Sequence, residues 1–299
     1  MATTPSVLTI EHGAHIAYEI RGSRLLGTKV PIVLIGGMTA VRQDWERFVD
    51  CLSKGRPVLI YDHRGMGDSV ASPDAIEEIS IEVLARDLLA LIDHLRWRHV
   101  AFCGWSMGGV VLQQLLTLPY HPKNPTPLPF CPTHVFLAAT RSIVLLDQGL
   151  QYKPTPGNKS RTPAEKRMVA IKILEQTFDR EWLERNRSRF EYLCKRGASA
   201  IRPPAVVAKQ QEALRTFDFV GLLHQLPRNL NMLIIHGELD QVIPFKAAKA
   251  MMGLFPWAEF VETGPQEEGK VPTLRFGHHW YEYFDIEVWR DVIERFMEK

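Results

Sequence analysis

The chain has 299 residues, 45% hydrophobic and 23% charged, with a formal net charge of +2 at pH 7. This composition supports a sizeable core and excludes an intrinsically disordered chain. The near-neutral charge, with no run of five basic residues, argues against nucleic acid or an anionic membrane as the main partner.

Cys51, Cys103, Cys131 and Cys194 show no C-x-x-C spacing and read as reduced thiols. No signal-peptide pattern opens the chain and no apolar stretch of about 18 residues occurs, so membrane spanning is not expected and a cytoplasmic location is the default.

In chain order, Val7 to Glu11 and His15 to Ile20 alternate apolar and polar residues around Gly13, which predicts an antiparallel hairpin with one wet face. Pro31 to Ile35, Pro57 to Tyr61 and His99 to Cys103 are nearly continuous apolar runs, the pattern of parallel strands covered on both faces. His134 to Ala138 and Met232 to Ile235 add two more. Between them lie helical patterns at Asp44 to Ser53, Ser80 to Arg96 (apolar at Ile81, Leu84, Leu88, Leu91, Ile92 and Leu95) and Ser106 to Leu118. Strand alternating with helix predicts an α/β fold, a mostly parallel sheet with helices on both faces. Phe245 to Leu254, Glu259 to Val261 and a helix from about Asp285 to Met297 resume the alternation.

Between these halves, residues 142–224 hold helix signals and no convincing strand. Thr162-Pro163-Ala164-Glu165 combines a capping box with proline at the first helical position. Ala164, Met168, Ile171, Leu174 and Phe178 keep helical spacing, and Trp182, Phe190 and Leu193 continue it up to a stop at Gly197. The expected organisation is a core of residues 1–141 and 225–299 with a helical cap insertion at 142–224. Six prolines between residues 119 and 132 forbid helix or central strand and predict an exposed loop.

The chemistry centres on Gly104-Trp105-Ser106-Met107-Gly108. Gly-x-Ser-x-Gly arises by chance in roughly one chain in ten of this length. Here a buried strand precedes it and a helix follows, so Ser106 occupies the strand-to-helix turn that an exposed nucleophile requires. Gly104 and Gly108 answer the crowding of such a turn, and Trp105 is a candidate for substrate contact. A serine at this position also suits a helix N-cap. A serine hydroxyl needs an imidazole to take its proton and a carboxylate to orient that imidazole. Downstream, Glu238 and Asp240 both stand in the loop after Met232 to Ile235, and His278 follows Gly277. His12, His63 and His236 read as structural. The backbone amides of Met38 and Met107 are candidate oxyanion donors, the first in the loop Gly36-Gly37-Met38 after the first parallel strand, although Gly36-Gly37 also suits a simple turn.

These segments together resemble the α/β-hydrolase superfamily from Val7 through Met297. Gly36-Gly37-Met38 with Trp45 is similar to the family's His-Gly-x segment, and Tyr61 to Ser69 to its Asp-x-Arg-Gly-x-Gly-x-Ser loop. Gly104 to Gly109, His236 to Pro244 and Gly277-His278 match its nucleophile, acid and histidine segments in the same order. The resemblance implies the α/β-hydrolase fold with an N-terminal antiparallel hairpin and a triad of Ser106, Asp240 and His278. Gly36 departs from the family, many members having histidine there.

The resemblance implies an aspartate nucleophile in members that dehalogenate or open epoxides, so serine at position 106 argues against both activities. The expected activity is hydrolysis of a small-molecule ester, lactone or thioester through an acyl-enzyme, with no metal or organic cofactor. Alternatives on the same fold are carbon–carbon bond hydrolysis, a cofactor-free lyase and a receptor-like binding protein with slow turnover. Residues 141–202 carry 14 Lys and Arg against 7 Asp and Glu. This excess reads as the solvated outer face of cap helices, with Arg141 as an alternative anchor for a substrate carboxylate. Fold and triad leave the acyl group, leaving group and oligomeric state undefined.

Overall fold

The computed structural model describes residues 4–10, 13–71, 79–145 and 162–299. The predicted hairpin is β1 (Ser6–Thr9) and β2 (His15–Arg21), paired antiparallel. The apolar runs become β3 (Ile32–Ile35), β4 (Val58–Tyr61), β5 (His99–Trp105), β6 (Cys131–Ala138), β7 (Asn231–Ile235) and β8 (Glu259–Phe260). They form an eight-stranded sheet in the order β1-β2-β4-β3-β5-β6-β7-β8. β2 joins β4 antiparallel, and every pairing from β4 onward is parallel.

Side-chain alternation along the strands explains why both faces needed apolar residues. Val33, Ile35, Leu59 and Tyr61 enter one core cluster, whereas Ile32, Leu34, Val58 and Ile60 enter the other. The first face is covered by α2 (Ile81–Leu95) and α3 (Met107–Thr117), the second by α1 (Glu46–Leu52) and, near the chain's end, α9 (Ile286–Phe296). Ser80 caps α2 by accepting from the Val83 amide, as its position before the apolar face predicts. β6 begins at Cys131, three residues earlier than its apolar run, and takes in Pro132, which corrects the expectation that the prolines of 119–132 keep out of a central strand. The register with β5 shifts between Val100 and Phe102, beside that proline.

Between β6 and β7 stand α4 (Pro163–Glu175), α5 (Arg180–Arg185), α6 (Arg187–Ser199) and α7 (Pro204–Thr216), and α8 (Lys246–Leu254) follows β7. The capping box at Thr162 and Glu165 is present. Two further sequence expectations are corrected. The segment around Trp182 divides at Asn186 into two helices. Gly197 does not end the second: a Cβ there would lie 3.3 Å from that of Ala170, so glycine serves the close crossing of α6 over α4. His12 lies outside the described residues. Among the described residues, no helix is long and apolar enough to cross a membrane.

The inserted helices are tied to the core by ions. Arg189 forks onto the buried Glu282 at 2.6 and 2.9 Å, Arg196 pairs with Glu46, and Arg202 contacts Asp44 at 2.8 Å. These three arginines therefore face the core, whereas Lys166, Arg167, Lys172, Arg187 and Lys195 are exposed, as a solvated outer face predicts. Arg180 and Arg185 do sit on the exposed face, each paired one turn away. Arg141 is buried, donates to the carbonyls of Leu145 and Leu214, and is lowered to about 10 by burial. Its guanidinium braces backbone rather than facing a ligand.

Candidate active site

β5 runs straight into α3 through Ser106, whose φ of 55° and ψ of −120° are strained for a residue with a side chain. Three bonds hold it there: its N–H to Ala138 O at 3.0 Å, and its carbonyl accepting from Gly109 N at 3.0 Å and Thr140 Oγ1 at 2.6 Å. The Ser106 side chain makes no capping bond to α3, so helix capping does not explain the residue. A Cβ at Gly104 would lie 2.6 Å from Gly108 O, and one at Gly108 would run into the Ile35 carbonyl. The glycines thus let the turn rest against the end of β3.

The acid and histidine segments are laced together before either side chain is considered. Glu238 N donates to Leu274 O at 2.8 Å and Leu239 N to Phe276 O at 3.1 Å, which sets the loop after β7 beside the approach to His278. Asp240 Oδ2 then lies 2.9 Å from His278 Nδ1. Its Oδ1 accepts the amides of Val242 and Ile243 at 2.9 Å each. Burial pushes the Asp240 carboxyl up, but the contacts from His278 and His236 outweigh it and hold the group below the usual carboxylate range. An ionised carboxylate only accepts hydrogen bonds, so His278 Nδ1 carries a proton, and in the neutral imidazole the lone pair falls on Nε2. Glu238, the other candidate acid, is exposed.

His236, expected to be structural, braces this acid: its Nε2 donates to Ile243 O at 2.9 Å and lies 3.4 Å from Asp240 Oδ2. His279 lies against Trp105, with ring centroids 4.6 Å apart, and stacks on Phe178 at 5.0 Å. Burial, then the neighbouring His278, lowers His279 to about 3, so it is neutral near pH 7.

Gly36-Gly37-Met38-Thr39 turns beside the serine. A Cβ at Gly37 would lie 3.1 Å from Ser106 Cβ, and one at Gly36 would lie 2.9 Å from Ala40 Cβ. His63 Nε2 donates to Gly36 O at 3.0 Å. A buried imidazole thus supports the loop from behind, although position 36 itself has no side chain. Met107 is buried in the first turn of α3, where a helix leaves its amides without intrahelical partners.

Met38, Trp105, Ser106, His278 and His279 line a cavity of about 770 Å³. Its far wall is largely apolar, with Ile173, Leu174, Leu193 and Ile201 from the inserted segment. Trp105, expected to contact substrate, also donates its indole N–H to His278 O at 2.8 Å. Sequence reasoning missed Arg202 and Gln210, which both reach Thr39 from the inserted segment. Neither residue type carries a sequence signal for such contacts.

The sheet order, the serine elbow after β5 and the acid loop after β7 define an α/β-hydrolase fold. Residues 30–124 match the family model described as alpha/beta hydrolase fold. A Caulobacter segnis protein named "Putative carbamate hydrolase RutD" is 22% identical over 296 residues, covering 95% of this chain and 96% of that one. The enol-lactonase from Burkholderia xenovorans LB400 superposes with a TM-score of 0.71 at 20% identity, covering 98% and 100% of the two chains. The esterase RhEst1 from Rhodococcus sp. ECU1013 gives 0.71 at 19% identity, covering 100% and 99%.

Proposed function

We propose that the protein is a serine hydrolase that cleaves a small-molecule ester, lactone or thioester through an acyl-enzyme on Ser106. The observation that carries this reading is the 2.9 Å contact between His278 Nδ1 and an ionised Asp240. It leaves Nε2 as the base in a cavity that Ser106 also lines. In the first half-reaction Nε2 takes the Ser106 proton as Oγ bonds to the substrate carbonyl carbon, with Met38 and Met107 amides donating to the oxyanion. The imidazolium gives its proton to the departing alcohol or thiol, and Asp240 stabilises the imidazolium throughout. Water, deprotonated by the same Nε2, then cleaves the acyl-serine and restores the hydroxyl. Every step uses groups of this chain.

In this reading the helices α4 to α7 serve as the cap over this site; residues 146–161 of the expected 142–224 insertion lie outside the described residues. Their apolar wall suits a substrate whose acyl or alcohol part is itself apolar. The names of three similar proteins, carbamate hydrolase, enol-lactonase and esterase, fit attack at a carbonyl centre and support the reaction type.

The test is turnover of p-nitrophenyl esters together with fluorophosphonate labelling. Ser106→Ala is expected to lose both, and a variant hydrolysing at the parent rate would overturn the scheme. Tight small-molecule binding with no product from the parent protein would favour a receptor-like role instead.

A further inference from the structure

Thr39 is a β-branched residue at φ 67°, a backbone state that such residues rarely adopt and that persists only where the surroundings impose it. The surroundings here come from the inserted helices. The Thr39 N–H donates to Gln210 Oε1 of α7 at 3.0 Å, and the Thr39 carbonyl accepts from Arg202 Nε at 2.7 Å. Both backbone groups of one strained residue are thus gripped by side chains 163 and 171 positions away in sequence.

The grip is itself anchored. Arg202 spreads its remaining donors over Gly197 O at 2.6 Å and the Asp44 carboxylate at 2.8 and 3.1 Å. Asp44 in turn accepts from Val41 N at 2.9 Å, just beyond the turn. Gln210 is fully buried, and among the described residues its Nε2 has no partner. A buried amide that leaves two donors unmet costs stability, and an apolar side chain of the same length would avoid that cost. The bond to Thr39 is what the glutamine provides there.

Peptide geometry carries the effect to the reacting atoms. Ala40 N holds Gly37 O at 3.1 Å. In a planar trans peptide the Gly37 carbonyl and the Met38 N–H point in opposite directions. Fixing the turn by Thr39 on one side and Gly37 on the other therefore fixes where the Met38 amide points. We infer that Gln210 and Arg202 are positioning residues: by clamping Thr39 they hold the Met38 amide on its oxyanion-binding line. This inference rests on the function proposed above and adds to it that the cap completes the oxyanion loop.

The test compares the parent protein with Gln210→Met, which keeps side-chain length while removing both the acceptor and the unmet donors. Three readouts are taken: thermal midpoint, hydrogen exchange of the Thr39 amide, and kcat and KM on p-nitrophenyl acetate, an ester too small to depend on the cap wall. The expected result is a thermal midpoint at or above the parent's, at least tenfold faster exchange at Thr39, and kcat lower by about 10- to 100-fold with KM changed less than about threefold, somewhat below the loss of a whole oxyanion donor. Arg202→Met is expected to lower kcat in the same way.

Unchanged Thr39 exchange in Gln210→Met overturns the clamp, as does a loss confined to KM. If the parent turns over no ester, the hydrolase reading fails on its own. The exchange at Thr39 then still decides the clamp, faster exchange supporting it and equal exchange refuting it.

Discussion

The indole N–H of Trp105 donates to the backbone carbonyl of His278 at 2.8 Å, joining the residue before Ser106 to the residue proposed as its base. The two segments lie 173 positions apart in the chain, so this bond sets their spacing directly. Trp105→Phe keeps the ring contacts and removes the donor, leaving a buried carbonyl unmet. Loss of such a bond is worth about 1 kcal/mol or more, and kcat is expected to fall roughly 5- to 10-fold with KM little changed. Steady-state kinetics on a p-nitrophenyl ester reads this, and an unaltered kcat would show that the bond is structural only.

Asp240→Asn preserves an oxygen for the Val242 and Ile243 amides but turns an N–H₂ toward His278. The imidazole then loses the partner that fixes its tautomer, and kcat is expected to drop by about 10⁴. Glu238→Gln, in the same loop but exposed, is expected to stay within about twofold of the parent. Equal losses in the two variants would reassign the acid.

His63 and His279 link stability to pH. Burial lowers His63 to about 4 and His279 to about 3, whereas an unfolded chain protonates histidine near 6.5. Between about 6.5 and 4 the unfolded state binds more protons, so unfolding free energy declines as pH falls. Each group contributes a slope of up to about 1.4 kcal/mol per pH unit. Above pH 7 neither contributes. Urea unfolding measured from pH 7 to 4.5 should show this decline, and His279→Phe should make it shallower. Parallel curves for parent and variant would refute the assignment to His279.

Asp62 explains the loop from Tyr61 to Ser69. Its carboxylate accepts Arg42 N at 2.6 Å and Asp68 N at 3.0 Å and pairs with the Arg42 guanidinium, while the Asp62 side chain is fully buried. Asp62→Ala removes a buried partner of a buried cation, which costs about 3–5 kcal/mol. A destabilisation under 1 kcal/mol in denaturant unfolding would contradict this account.

The sheet was legible because strands buried on both faces must be apolar throughout, as Ile32 to Ile35 and Val58 to Tyr61 are. The serine turn was legible because Gly104 and Gly108 have a steric reason that reads directly from spacing. Other features depend on contacts distant in the chain. Glu238 and Asp240 share one loop, and only its lacing to residues 274–276 separates them. The helix α7 starts at Pro204, after Pro203; a proline pair reads as a break, yet proline at a first helical position is already set for a helix. The partners of Arg189, Arg196 and Arg202 lie in the core, beyond the reach of local patterning.

The two bonds to Thr39 also bear on engineering. Exchanging the inserted helices between related enzymes is an obvious way to alter which substrates enter. In this protein such a graft would carry away an acceptor and a donor that the loop beside the serine relies on. A chimera would need glutamine and arginine restored at those two sites, so substrate choice and rate enhancement would have to be transplanted as one unit.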